Sequence, residues 1–244
     1  MIIQLYGEAF TLSKSNKFSR LPTDDYGFII ANNDYGYMVA EPDDLMRAFV
    51  GFAGKFDEPC VDVGAAFGVA SLYAIDQGVK HVIAIDPEQS HLDYIEQQFK
   101  TRQPHRVQQI QLECGYFPKT INLDNHTVSA ILIARVLHFL SGQEITDLLR
   151  QAYKILIPGG RLFLSTISPY VNLLLNYIET YEENENADNI EWPGEIEDLR
   201  QYLPARDHKH NQKYGHVLTP KVLSKHLEKA GFTIVTAKFS TRQY

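Results

Sequence analysis

The chain has 244 residues, 44% of them apolar and 22% charged, which excludes a disordered, collagen-like or coiled-coil chain. It carries 23 basic and 30 acidic residues, a net charge of −7, so it has no global attraction for nucleic acid or an anionic membrane. No apolar run approaches the ~20 residues that span a bilayer, and the first eight residues lack a basic leader.

Residues 1–40 are rich in aromatic and turn residues. Tyr26–Ala31 and Tyr35–Ala40 flank Asn32-Asn33-Asp34, which predicts a hairpin. Leu45, Met46, Phe49, Phe52, Ala53 and Phe56 recur at helical spacing over 42–56. An alternation of strands and helices then begins. Strands are expected over 60–64, 81–86, 107–114, 128–134 and 161–167, with helices over 67–77 and 88–101. Ser141-Gly142-Gln143-Glu144 reads as a capping box opening a further helix that ends before Pro158-Gly159-Gly160. This rhythm implies a parallel sheet covered on both faces. Cys60 and Cys114 fall in apolar strand stretches and are expected as buried thiols, not a disulfide. With no CxxC pair, no cysteine zinc site is expected.

Residues 169–217 break the rhythm. Leu173, Leu174, Tyr177, Ile178 and Tyr181 predict one face of an amphipathic helix. Tyr170 to Leu199 holds nine acidic and no basic residues, so the acidity of the chain is local. The rhythm returns at Thr219, an N-cap before Pro220, and a helix closing at Gly231 leads to a last strand over 232–239. Residues 169–216 are therefore expected as an insertion over the carboxyl edge of the sheet, in the position of a lid.

Ligands of such sheets sit beyond the carboxyl ends of the strands, where strand order reverses. The first strand of the rhythm runs into Asp62-Val63-Gly64-Ala65-Ala66-Phe67-Gly68, whose small residues let a ligand approach the backbone. Asp86 ends the next strand 22 residues after Gly64, where a carboxylate can accept both hydroxyls of a ribose. Ala66 and Val69 stand where a nicotinamide-binding loop needs glycines. Asp62 suits an ammonium better than a pyrophosphate.

These residues resemble the class I S-adenosylmethionine-dependent methyltransferases. Val61–Gly68 is similar to their first motif, with Ala66 for the middle glycine, and Ile83–Asp86 to their second-strand acid. Ile131–Leu140, Leu156–Leu162 and the stretch from Leu218 to Phe232 resemble later segments in the same order. The likeness covers about 58–168 and 217–239. It implies an α/β, Rossmann-like, doubly wound and mostly parallel sheet with helices on both faces, to which the residues themselves add an N-terminal β-hairpin and helix extension over 1–57. The core would be 58–168 with 217–244, and 169–216 the lid. The family sheet ends in a hairpin, whereas only one strand is visible before Tyr244; a seventh strand would be missing or supplied otherwise.

The resemblance implies S-adenosyl-L-methionine as cofactor and S-adenosyl-L-homocysteine as product. Gly64, Ala65, Ala66 and Gly68 would line the methionine part, with Asp62 near the ammonium. Asp86 would hold the ribose, flanked by Pro87 and Glu88. Cys114, Gly115 or Tyr116 would lie by the adenine, and Ala134 and Arg135 near the sulfonium. His138 is the first candidate for a general base, against a structural role, and Tyr170 the second. Tyr170, Tyr177 and Tyr181 are read either as a substrate wall or as packing. His208, His210 and His216 are read as lid residues and not as a metal site. The expected activity is methyl transfer to an oxygen or nitrogen of a small molecule, without nucleic acid or membrane partner, in the cytoplasm. The alternatives are a protein side-chain methyltransferase and a cofactor-binding regulatory module without turnover.

Overall fold

The structure, a computed structural model, describes residues 2–6, 29–30, 37–39, 41–204, 208 and 212–240. In chain order the elements begin with β1 (Ile2–Tyr6), β2 (Ile29–Ile30), β3 (Tyr37–Met38) and α1 (Asp44–Ala53). The alternating part comprises β4 (Cys60–Val63), α2 (Val69–Asp76), β5 (Val82–Asp86), α3 (Gln89–Arg102), β6 (Ile110–Cys114), β7 (Val128–Ala134), α4 (Gly142–Ile155) and β8 (Leu156–Ile167). The insertion contributes α5 (Ile178–Asn186), β9 (Glu195–Ile196) and β10 (Gly215–His216), and the chain returns through α6 (Pro220–Lys229) to β11 (Thr236–Ser240).

One seven-stranded sheet runs in the order β11-β1-β8-β7-β4-β5-β6 and is parallel at every junction. Successive side chains of a strand point to opposite faces, so each central strand feeds two cores. Val61, Val63, Ile131, Ile133, Leu162 and Leu164 pack toward α4 and α6. Cys60, Ala130, Leu132 and Phe163 pack toward α1, α2 and α3. Burial on both sides explains why these strands read as nearly continuous apolar runs.

Several expectations are met closely. The hairpin is present as β2 paired antiparallel with β3, Ile29 opposite Met38; its remaining residues lie outside those described, apart from Val39. Ser141 and Glu144 form the capping box of α4, and Thr219 caps α6 with Pro220 in the first turn. Asp43 caps α1 by accepting from the Met46 N–H at 2.9 Å.

Four differences have physical causes. The strand expected from Val107 starts at Ile110, because Pro104–Gln109 forms a 3-10 turn opened by Pro104. The amphipathic helix of the insertion breaks at Leu174 (φ −117°, ψ 22°) into a 3-10 turn over Asn172–Tyr177 followed by α5. Cys60 is buried as expected, but Cys114 is exposed, since β6 is the edge strand and has no neighbour on its outer side among the described residues; both thiols are free. The last difference concerns the first residues. Ile2–Tyr6 belongs to the central sheet, not to an extension: β1 lies between β8 and β11, parallel to both. It brings the sheet to seven strands.

Parallel pairing sets Tyr6 beside Ile167 and Ser240, at the carboxyl edge. The chain reaches α1 at that same edge, where Asp43 meets Arg135 just beyond β7. The insertion leaves from the carboxyl end of β8 and returns where the Leu218 N–H donates to the Ile167 carbonyl at 2.9 Å. It has its own small core of Leu174, Tyr177, Tyr181, Ile196, Leu203 and Val217. Trp192 docks it, stacking on His226 of α6 with ring centres 3.6 Å apart and covering Gly142, where any side chain would collide with the indole.

Candidate functional site

All seven strands point the same way, so Asp86, which ends β5, and Gly64, Gly115, Arg135 and Ser168, which follow their strands, lie at one edge. Strand order reverses between β4 and β7, which makes the end of β4 the topological switch point. There Gly64 (φ +73°), Ala66 (φ +47°) and Gly68 (φ +75°) take left-handed backbone conformations, and Gly68 caps α2. The Gly64 and Ala65 N–H groups both donate to the Ile85 carbonyl, at 2.8 and 3.1 Å. A side chain at Gly64 would collide with Val136, and one at Gly68 with Ile95. The glycines therefore serve the turn and its packing directly.

Asp86 joins this loop to the next helix. Its Oδ2 accepts the Ala66 N–H at 2.8 Å, and its Oδ1 accepts the Glu88 N–H and the His91 Nδ1–H, each at 2.9 Å. Pro87 carries the chain past this carboxylate. The Pro87 carbonyl accepts a weak bond from Cys114 Sγ at 3.6 Å, and the Gly115 N–H donates to the Asp86 carbonyl at 3.0 Å. The ends of β5 and β6 are thus brought together. Tyr116 follows, 58% exposed.

Asp62 lies in β4, two residues before Gly64, and is buried. The Ser71 hydroxyl donates to its Oδ2 at 2.7 Å. Burial pushes its carboxyl up to about 6, the Ser71 bond opposes this, and the Asp86 charge adds to it. It has no ionic partner among the described residues.

Beyond β7, Ala134 lies opposite Ser165 in the pairing register, and the Arg135 N–H donates to the Ser165 carbonyl at 2.8 Å. Arg135 has φ +59°, and its guanidinium donates to the fully buried Asp43 at 2.5 Å. His138 lies in a 3-10 turn over Leu137–Phe139. Burial first, and the Arg135 charge second, push its imidazole down to about 3, so it is neutral at physiological pH. Its Nδ1 and the Ser165 and Thr166 hydroxyls are sealed from water without a hydrogen-bond partner among the described residues.

Tyr170 is not brought to this group. Its ring lies against Tyr181 and, at 5.9 Å, against Phe239 of β11, on the side of β8 away from β4. Burial and the charges of Glu182 and Glu185 raise its phenol. Tyr177 and Tyr181 are core residues of the insertion, their hydroxyls bonded to the Pro193 carbonyl and to Thr219. Of the three lid histidines, His216 is buried in β10 with Nδ1 donating to the Leu140 carbonyl at 2.9 Å, His208 contacts the Leu203 carbonyl, and His210 lies outside the described residues. Among the described residues no cluster of three potential metal ligands occurs.

The sequence reading missed Asp43, Ser71, His91 and Ser165. Only Ser71 had an available signal: Asp62 at a strand end faces the first turn of the helix that follows. The others act across 92 residues (Asp43 to Arg135), from an ordinary-looking helical position (His91) or from within a strand (Ser165).

Residues 60–160 match the family model described as a methyltransferase domain. No curated protein sequence matches the chain. A solved S-adenosylmethionine-dependent methyltransferase from Mesorhizobium loti is 18% identical, with 78% of this chain and 79% of that chain covered, at a TM-score of 0.53. The CcbJ methyltransferase of Streptomyces caelestis is 26% identical over 50% of this chain and 48% of its own, at 0.43. The geranyl diphosphate C-methyltransferase of Streptomyces coelicolor A3(2) is 17% identical over 49% and 41%, at 0.42. The chain thus spans about four-fifths of the first and less than half of the other two.

Proposed function

From its class I S-adenosylmethionine-dependent methyltransferase fold, we propose that the chain transfers a methyl group to an oxygen or nitrogen of a small-molecule acceptor. One observation carries this reading: two buried carboxyls, Asp62 and Asp86, flank a left-handed loop at the switch point, and Asp62 lacks an ionic partner among the described residues. That pair of acceptors fits a ligand with an ammonium and a ribose and disfavours a pyrophosphate. Asp62 would face the ammonium and Asp86 the ribose. Gly64, Ala65, Ala66 and Gly68 would border the methionine part, Pro87, Cys114, Gly115 and Tyr116 the adenine, and Ala134 and Arg135 the sulfonium.

S-adenosylmethionine supplies an electrophilic methyl on a sulfonium sulfur. The protein then has to align the acceptor, and alignment alone is worth ~7–11 kcal/mol. Neither base candidate is strong. An imidazole pushed down to about 3 is a hydrogen-bonding group more than a proton acceptor, and a raised phenol keeps its proton. Orientation therefore carries the chemistry in this reading, with His138 placing the acceptor and residues 169–216 covering it. An acceptor already holding a free lone pair fits best. Among the described residues no helix is long and apolar enough to cross a membrane. We place the protein in the cytoplasm, where an exposed free Cys114 persists.

Calorimetry tests the cofactor, with NAD as control. S-adenosylhomocysteine should bind at micromolar level and weaken at least tenfold in Asp86→Ala, and a radiolabelled-methyl screen would then find the acceptor. Absence of binding would overturn the reading. The weak basicity at His138 and Tyr170 favours one second reading, a cofactor-binding module without turnover. It predicts binding with no acceptor labelled.

A further inference from the structure

The Asp86 carboxylate is more fully engaged than a ribose clamp requires. A carboxylate has four lone-pair positions, two on each oxygen. On Oδ1 both are taken, by the Glu88 N–H and by His91 Nδ1–H. On Oδ2 one is taken, by the Ala66 N–H. Among the described residues nothing takes the second position on Oδ2. Because a carboxylate only accepts, the bond fixes His91 as the Nδ1–H donor. The pair is enclosed: the side chains of His91 and Asp86 are 3% and 6% exposed. Phe67, from the left-handed loop, holds the His91 ring edge-to-face at 4.8 Å between centres. His91 therefore cannot swing aside without disturbing the loop.

We propose that His91 is a positioning residue for Asp86, fixing its carboxylate so that Oδ2 accepts a single ribose hydroxyl of the adenosyl cofactor. This rests on the methyl-transfer reading and narrows it. The sequence alone allowed Asp86 to take both hydroxyls. With His91 in place it takes one, and the other is met by another group or by water. His91 also links the ribose side of the site to the loop bordering the methionine side, through Phe67 and through the shared carboxylate.

The test measures binding of S-adenosylhomocysteine and its 2′-deoxy and 3′-deoxy analogues to the full chain by calorimetry. In wild type against Asp86→Ala, the penalty for removing one of the two hydroxyls should vanish and the other should persist. If both penalties vanish, Asp86 takes both hydroxyls and the proposal falls. His91→Leu should weaken S-adenosylhomocysteine about tenfold and shrink the same single-hydroxyl penalty. His91→Asn, which places an N–H near the position of Nδ1, should restore binding to within about threefold. Unchanged binding in His91→Leu overturns the positioning role. So does a uniform loss for all three ligands that Asn does not rescue, since that marks a packing role only. The wild-type and Asp86→Ala arms stand even where His91→Leu does not fold. Failure of S-adenosylhomocysteine to bind wild type would remove the methyl-transfer reading itself, and this inference with it.

Discussion

The two halves of the sheet solve the same problem differently. In the half made by β4, β5 and β6, each turn at the carboxyl edge is held by residues close by. The Gly64 loop bonds to Ile85 and Asp86, and Asp86 bonds to Glu88 and His91. In the half made by β7, β8, β1 and β11, the edge is held by partners far apart in sequence. Arg135 meets Asp43, β1 pairs with β8 and β11, and Trp192 stacks on His226. The first half is held locally. The second is assembled from distant segments, so a change in one of them reaches elements far away in sequence.

The largest predicted effect breaks the second half. Arg135→Met leaves Asp43 as a fully buried carboxylate without its guanidinium. Removing one partner of a buried pair costs about 3–5 kcal/mol. Urea unfolding should show a loss near the lower figure, as Arg135 retains 15% exposure. Adding Asp43→Asn, which keeps the cap of α1, should recover part of it. A loss below about 1 kcal/mol would mean that the pair is not what joins α1 to β7.

The next prediction sets the halves against each other through pH. The Asp62 carboxyl is raised from 3.8 to about 6, so its contribution is fully present below pH 3.8 and is lost as pH rises to about 6. His138 is lowered from 6.5 to about 3, so its contribution is present above pH 6.5 and is lost as pH falls toward 3. The slopes oppose. Asp62→Asn should gain on wild type by up to about 3 kcal/mol between pH 4 and 7. His138→Gln should lose ground over the same range by a similar amount. Parallel pH profiles for wild type and both variants would contradict both assignments.

Gly64→Ala probes the local half. It forces a methyl toward Val136 at φ +73°, so two penalties add. A loss of about 2 kcal/mol is expected in chemical denaturation. Adding Val136→Ala should relieve the collision but leave the backbone strain. Full recovery would show that packing alone requires the glycine.

The same contrast explains what the sequence reveals. The strands and helices from β4 to β8, the capping box at Ser141 and the cap at Thr219 are legible because each depends on residues within one turn or one pleat. The switch-point loop is legible for the same reason. β1 is not, since Ile2–Tyr6 is defined by partners near residues 163 and 236 and has no local signature of its place. Cys114 illustrates a finer limit: its apolar stretch announces a strand but not that the strand is an edge. Asp86 stands out in the sequence as the acid that ends a strand, but its bond to His91 does not, because His91 looks like any residue in the first turn of a helix.

Ala66→Gly gives the smallest effect and the sharpest view of the loop. Ala66 is the middle position where the resembling family has glycine, and it holds φ +47°. A left-handed conformation costs an alanine roughly 1–2 kcal/mol, while glycine adds backbone entropy to the unfolded chain worth roughly 0.5–1 kcal/mol. The two nearly cancel, and the variant should be more stable by about 0.5 kcal/mol. The Ala66 N–H is the donor on Asp86 Oδ2, the oxygen with the free lone pair. A looser residue there should let that oxygen shift. Binding of S-adenosylhomocysteine should therefore weaken slightly, by about twofold, even as stability rises. If binding and stability rise together, Ala66 is an ordinary replacement for glycine. If they part in the expected directions, the alanine holds the loop for Asp86 at the cost of a strained backbone.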